Sequence, residues 1–332
     1  MSDIKHMIKK IPYLMNFYRK IKFYKEFKYD FNFFVKNYMY AQETLSAIGY
    51  KILLLTHSLE KGMACQNKRY FGIEKTSELI NELLKYEKMC NDCCNDFSYI
   101  VGINVLREYL SIYEANKWTN RDEYLKVKKF IEDHSKVKKI NLNCCELNKK
   151  EIIKFAKIDY DKFLQSRHSI RSFSDKSLIE NDIVKAVDMA LKTPSACNRQ
   201  MCKIYRVKNK KKLDYVIQNA QGFGGFDTKN ANVFIVTFEV SANYFVGERN
   251  QGWFNAGLFS MNFVNALHSL GIGSCFIQFG NSVKEEEMIK EELKIPQNER
   301  IAVLLAAGYY NDKNIITKSP RKNFEDLYSV ID

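Results

Sequence analysis

Arg167-His168-Ser169-Ile170-Arg171-Ser172-Phe173 and, one helix later, Pro194-Ser195-Ala196-Cys197-Asn198-Arg199-Gln200 are the two stretches on which the reading of this chain turns. The first gathers two guanidinium groups and two hydroxyls in a few residues, the donor set that a phosphate group needs from a short length of backbone. On its own it reads equally well as a solvated basic turn. The second is a turn of small polar side chains. Asn and Gln each offer donors and an acceptor, a match for the alternating edge of an amide-rich heteroaromatic ring.

Working outward, the segment between the two stretches has Ile183, Val184, Val187, Ala190 and Leu191 on one face, which predicts a helix over 181–192 with Asn181 as its N-cap. Strand-like runs follow at 204–207, 233–240, 274–278 and 301–307, separated by helical patterns over 210–218, 252–269 and 284–293. This alternation argues for a sheet covered by helices. Neither Gly222-Phe223-Gly224-Gly225 nor Gly271-Ile272-Gly273 joins a strand to a helix, so neither fits a dinucleotide-binding fold, and both read as backbone turns.

Residues 1–150 follow another grammar, with abundant Lys, Tyr, Phe and Leu, little Gly and only Pro12 to break a helix. They predict a mostly helical domain. At its start Ile4, Met7, Ile8, Ile11, Leu14 and Tyr18 recur at helical spacing among Lys5, Lys9, Lys10, Arg19 and Lys20. Such a segment can lie on an anionic membrane, although packing on its own domain is the preferred reading. His57 and Glu60 read as a structural pair near a helix end in preference to a catalytic or ligand pair. The Lys- and Asn-rich stretch 134–158 reads as the linker to a second domain at 158–332.

The net charge of +13 suits a phosphorylated or polyanionic partner, but the excess is spread along the chain and no base-stacking module accompanies it, so no nucleic-acid partner is expected. Nine cysteines without a secretory signal point to a reducing compartment, by default the cytoplasm. Cys90, Cys93 and Cys94, with the distant Cys144-Cys145, lack the spacing of a metal site, and no metal is expected. The longest apolar run, 253–270, is interrupted by Asn255, Asn262, Asn265 and His268, so it reads as a helix buried in protein.

Taken in order, the basic turn, the amphipathic helix, the Pro194–Gln200 turn, the Gly271-Ile272-Gly273-Ser274-Cys275 turn and the closing Arg321, Glu325 and Leu327 resemble the nitroreductase family over roughly 160–332. The resemblance implies an α+β architecture, a nitroreductase-like FMN-binding α/β sandwich preceded by the helical domain. It assigns the FMN phosphate and ribityl chain to Arg167, Ser169 and Arg171, with His168 among them. It assigns Pro194, Ser195, Ala196, Asn198 and Gln200 to the turn against the flavin, contributed by the other subunit of a homodimer. Gln278 falls beside the ring, and Arg321 near the phosphate. Two departures stand out: Gln278 where an acid is common, and Ser319 where many members have Lys.

The activity so implied is hydride transfer from NADH or NADPH through FMN to a small organic acceptor. The flavin carries the chemistry, so no catalytic side chain is named. Phe223, Phe226, Tyr244 and Phe245 are candidates to line the pocket. Cys197 is not read as a nucleophile, since no base neighbours it in sequence. The alternatives are a flavin-dependent dehydrogenase of a biosynthetic pathway and a non-catalytic flavin-fold binding or assembly protein.

Overall fold

The computed structural model describes residues 12–64, 70–142, 158–224, 226–317 and 321–331. Several features of the sequence lie outside them: the start of the basic N-terminal segment, Cys65, Cys144-Cys145, most of the linker, Gly225 and Ser319.

The N-terminal half is helical: α1 (Pro12–Asn37), α2 (Leu45–Met63), α3 (Ile73–Met89), α4 (Phe97–Ala115) and α5 (Asp122–Asp133). Local chemistry starts them. Thr44 accepts from the Ala47 amide at the head of α2, and Asp96 from the Ser98 and Tyr99 amides at the head of α4. Ile52, Leu55, Leu59, Leu79, Leu83, Ile103 and Leu106 fill a core between α2, α3 and α4. The predicted linker begins later than its composition suggests. Asn104 donates to the Lys138 carbonyl and accepts from the Ile140 amide, and Arg107 donates to the Val137 and His134 carbonyls, so 134–140 is fastened to α4.

The C-terminal half is α+β. After α6 (Tyr160–Ser166) and α7 (Glu180–Ala190) come β1 (Cys202–Val207), α8 (Lys210–Asn219), β2 (Asn232–Glu239), α9 (Gln251–Ser269), β3 (Ile272–Ile277), α10 (Val283–Leu293) and β4 (Glu299–Tyr309). The strands form one antiparallel sheet in the order β1-β2-β4-β3. Both faces are covered. Phe234, Val236, Phe238, Leu305 and Ala307 meet α7 and α9 on one side, and Val233, Ile235, Leu304 and Ala306 face a second core on the other. A bulge at Val236/Thr237 shifts the register, so that Ile301 joins the second core despite its odd number. The α7 helix starts at Glu180 with Ile179 as N-cap, without a side-chain cap; Glu180 and Asp182 in its first turn favour the helix dipole instead of the predicted Asn181 cap.

The helical half is tied to the sheet through a buried carboxylate, Glu239, beside a second, Glu299, that the sheet itself holds. Glu239 accepts from Ser46, Ser241, Tyr50 (3.2 Å) and Asn298 (2.7 Å), and Glu299 from Lys203 (2.6 Å), Tyr205 (2.9 Å) and Thr237 (2.6 Å). Burial of charge at this depth requires such a full set of donors. Burial and the neighbouring carboxylates both push the Tyr50 phenol upward, so it remains a donor. The second half of α1 also docks here: Asp30 and Glu286 hold Arg300, Glu26 accepts from the Val283 amide, and Tyr29 donates to Glu287. The expected packing of the N-terminal stripe on its own domain is not seen among the described residues: Leu14 and Tyr18 are exposed, Ile4, Met7, Ile8 and Ile11 lie outside those residues, and the docked part of α1 bonds to the C-terminal half.

One register position sets the site. Gly273 pairs with Gly308 across β3 and β4. A Cβ at Gly308 would stand 2.6 Å from Phe173, and one at Gly273 would stand 3.1 Å from Ile170. The glycine pair is the slot into which the two apolar residues of the first signature stretch fit. Gly308→Ala is expected to overpack this slot and to lower stability by about 1–3 kcal/mol in chemical denaturation; an unchanged midpoint would show that Phe173 is not held there.

Candidate functional site

The first signature stretch lies along the outer edge of β3. Ser169 bridges Ser274 in parallel, the Ile170 amide donates to the Ser274 carbonyl at 3.0 Å, and the Ser174 amide donates to Tyr309 at 3.0 Å. The Arg171 carbonyl accepts from the Asp227 amide at 3.1 Å. Backbone pairing thus fixes the main chain from 169 to 174 and leaves the guanidinium groups to project. Among the described residues neither Arg167 nor Arg171 enters an ion pair, and the charges of both reach the Cys275 thiol. This charge and donor set suits an anion.

His268, near the end of α9, closes one side. Its Nε2 lies 2.8 Å from the Ser166 hydroxyl and its Nδ1 lies 2.8 Å from the Tyr310 hydroxyl. Burial, with the charges of Arg167 and His168, depresses the imidazole below its usual value. The Arg171 guanidinium stands 5.8 Å from the Phe226 ring, which packs edge-on against Phe223. Gln278 is exposed just beyond β3, and Gly222 lies so close that a Cβ would meet the Gln278 backbone at 2.6 Å. Sequence-predicted residues Arg167, His168, Ser169, Arg171 and Gln278 therefore share one sheet edge. Cys275 is also there, but burial raises its thiol pKa and keeps it protonated.

The second stretch leads into β1, at the opposite edge. Cys197, Asn198 and Gln200 have φ values of 50°, 52° and 49°, left-handed backbone that only Asn among them tolerates well. What holds the turn is Arg199, which the sequence reading placed in the motif without giving it a role. Its side chain is wholly buried and forms a two-pronged pair with Glu248 (2.9 and 2.6 Å), while also donating to the Ala196 and Ala242 carbonyls. An Arg in a polar turn carries no sequence signal for burial. Burial alone would raise the Glu248 carboxyl, but the Arg199 fork and the Tyr244 amide outweigh it and hold the group below the usual carboxylate range. Ser195 completes the turn by accepting from the Gln200 amide. Pro194, Ser195 and Gln200 line a cleft of about 30 Å3 with Asn255 and Phe259. Helix α2 packs against the 196–198 turn, so the helical half also supports this site.

The two half-sites are kept apart within one chain. They border opposite strands of a four-stranded sheet, about 14 Å across at the usual strand spacing. Helix α9 touches both, through Asn255 and Phe259 at one end and His268 at the other, about 20 Å along its axis. Between those ends Asn255 Nδ2, Ser260 Oγ and Asn265 Oδ1 are buried without partners among the described residues. Tyr244 and Phe245 pack edge to face beside Glu248 and belong with the second half-site, not with Phe223 and Phe226. Arg321 is exposed, as is the segment to Ile331 that follows it. His57 and Glu60 pair at 3.1 Å within α2. Cys90 and Cys93 pack partly buried on the helical core, and among the described residues no cluster of His, Cys, Asp or Glu could hold a metal.

A helix-covered antiparallel sheet with a basic turn stitched to one edge and a strained polar turn at the other defines an α+β domain. Its family follows from comparison. Residues 164–224 and 219–309 match the Nitroreductase family, and the C-terminal half of the chain carries a nitroreductase-family domain. A relative from Archaeoglobus fulgidus, named "Putative NADH dehydrogenase/NAD(P)H nitroreductase", is 27% identical over 155 residues, which are 46% of this chain and 86% of that protein. Similar solved structures include an FMN-dependent nitroreductase from Clostridium difficile R20291, 24% identical with TM-score 0.44, covering 50% of this chain and 96% of that one. Another is described as a "putative nitroreductase in complex with FMN" from Desulfovibrio desulfuricans, 18% identical with TM-score 0.46, covering 53% and 98%.

Two measurements test the second half-site. Arg199→Ala, which leaves Glu248 without its fork, is expected to cost on the order of 3 kcal/mol in urea unfolding. Because the folded Glu248 pKa is depressed, its contribution is present above the ordinary carboxylate pKa of about 4.3 and is lost as pH falls through the folded value. The difference between wild type and Arg199→Ala is expected to shrink in that acid range. Cys197→Gly removes the left-handed strain and is expected to raise stability by about 1 kcal/mol; a fall would mean that the Cys197 side chain outweighs the strain.

Proposed function

We propose that residues 158–332 form an FMN-dependent oxidoreductase that passes a hydride from NADH or NADPH to a small organic acceptor, and that two copies of the chain are needed to complete each site. The observation that carries this reading is the pair of uncommitted guanidinium groups on the β3 edge, together with the ring-edge donors held in a strained turn at the far edge. The family match and the nitroreductase name of the archaeal relative support it.

The donor set fits FMN. Arg167 and Arg171 supply fixed cationic forks, Ser169 a hydroxyl, and no carboxylate competes with a phosphate among the ion pairs of the described residues. Bound there, FMN would supply a ring that accepts and returns two electrons. Everything else falls to the chain: Arg167 and Arg171 anchor the phosphate, Asn198 and Gln200 read the polar edge of the ring, and Arg199 keeps their backbone in the conformation that presents them. Neutral Gln278 provides hydrogen-bonding capacity without a charge. Cys197 needs no chemical role.

Since the half-sites stand about 20 Å apart on α9, a dimer that brings one chain's Pro194–Gln200 turn to the other's Arg167–Arg171 turn closes the site. Phe254 and Leu258 on α9, with Val184 and Leu191 on α7, are exposed and offer an apolar face for such an interface. So does the exposed tail with Phe324, Leu327 and Tyr328. The odd complement of cysteines favours the cytoplasm. Among the described residues no helix is long and apolar enough to cross a membrane.

Visible absorption of the purified protein is expected to show flavin bands that bleach under anaerobic NADH or NADPH. Arg171→Ala is expected to weaken FMN retention by about 1.5–3 kcal/mol, the value of a charge-assisted hydrogen bond. A phosphate held by Arg167 also favours the imidazolium form, so FMN binding is expected to raise the His268 titration midpoint in NMR. A colourless protein that takes up no FMN would overturn the oxidoreductase reading.

A further inference from the structure

Among the described residues the first half of α1 has no support from the body of the protein. Every described side chain from Tyr13 to Lys25 except Met15 is exposed, a projecting arm about 20 Å long. A helix of this length is marginal in water, and apolar side chains on it gain nothing from exposure. Yet Tyr13, Phe17, Tyr18, Phe23 and Tyr24 all stand on it in the open, Phe17 at 59% and Tyr24 at 65% exposure. Exposed apolar surface on this scale is the kind that marks an interaction site.

The spacing of the exposed residues shows its shape. Tyr13, Phe17, Tyr24, Phe31 and Val35 follow one another at intervals of four or seven and so share one face along the whole helix. The opposite face is the docked one, where Glu26, Tyr29 and Asp30 bond to the Val283 amide, Glu287 and Arg300. Along Tyr13, Phe17 and Tyr24 the aromatic stripe therefore points away from the protein; its far end, Phe31 and Val35, is exposed but also lines a groove of about 610 Å3 with Val246 and Trp253.

Charge selects the partner. The arm holds Arg19, Lys20, Lys22 and Lys25 and no acidic residue; the two acids of α1, Glu26 and Asp30, are committed to the docked face. Among the described residues none of the arm's cations forms an ion pair, whereas Lys22 and Lys28 rest near the Tyr18 and Tyr24 rings. Two such arms side by side would repel, whereas an anionic surface with an apolar interior satisfies both the lysines and the rings. Tyr and Phe at headgroup depth, flanked by long cationic side chains that reach back to the phosphates, are the chemistry of an interfacial helix. The arm carries too much charge to cross a bilayer.

We propose that α1 is a membrane-surface anchor, lying in the headgroup layer of an anionic phospholipid bilayer on its Tyr13-Phe17-Tyr24-Phe31-Val35 face and holding the nitroreductase-family domain against the membrane.

Vesicle flotation of the full-length protein tests this, using phosphatidylcholine alone and phosphatidylcholine with about one-third phosphatidylglycerol. The protein is expected to float with the anionic vesicles at low salt, to be released at high salt, and to stay behind with the neutral ones. Lys20→Gln and Lys28→Gln are each expected to weaken partitioning about fivefold. Phe17→Ser combined with Tyr24→Ser and Phe31→Ser is expected to abolish it while leaving the thermal midpoint unchanged, because all three side chains are exposed. No flotation with anionic vesicles at low salt, or equal flotation of the triple variant, would overturn the proposal. So would self-association in sedimentation that the triple variant abolishes without any vesicle binding, which would assign the stripe to a second copy of the chain.

Discussion

Strand order governs this molecule. Because β1 and β3 are the two edges of a single four-stranded sheet, the segments that pair with or lead into them are separated by its full width, and α9 spans the same gap on one face. No side-chain rearrangement can bring the Arg167–Arg171 turn to the Pro194–Gln200 turn while that order stands. The separation of the two signature stretches is thus a consequence of backbone hydrogen bonding in the core, the most costly part of the structure to change.

Each half is then made precise by a different device. On the β3 edge it is absence of bulk: Gly273 and Gly308 face each other in register and let Ile170 and Phe173 sit against the sheet, after which backbone bonds to Ser274 and Tyr309 determine where the cations project. At the β1 edge it is a buried charge. Arg199 gives up hydration to hold Glu248 and two carbonyls, and that fully bonded fork maintains three residues of left-handed backbone. Strain of this kind persists only where the surrounding structure over-determines it, as the Arg199 fork does here.

The helical half contributes to the same end. Ser46 and Tyr50 complete the shell around Glu239, and α2 backs the 196–198 turn, so the core of the C-terminal half continues into residues that composition alone assigns to another domain. Hydrophobic patterning could not reveal this, because the contacts, polar at Glu239 and apolar at Phe33, Phe34 and Tyr50, join residues about two hundred positions apart.

By itself the sequence determined the periodic elements, the order of the strands along the chain, and the residue types able to hold a phosphate and read a ring edge, because those depend on local spacing and on chemistry that each side chain carries alone. Helix 181–192 and the strands of the sheet lie within a few residues of where periodicity put them, and Arg167, Ser169, Arg171 and Gln278 do share an edge. Only the tertiary structure decided that Arg199 is interior rather than solvated, that Gly273 meets Gly308, that the two signature stretches are parted by the sheet, and that one face of α1 docks while the other stays open. Those outcomes depend on which distant groups come into contact, and burial, register and pairing are properties of the contact, not of either residue.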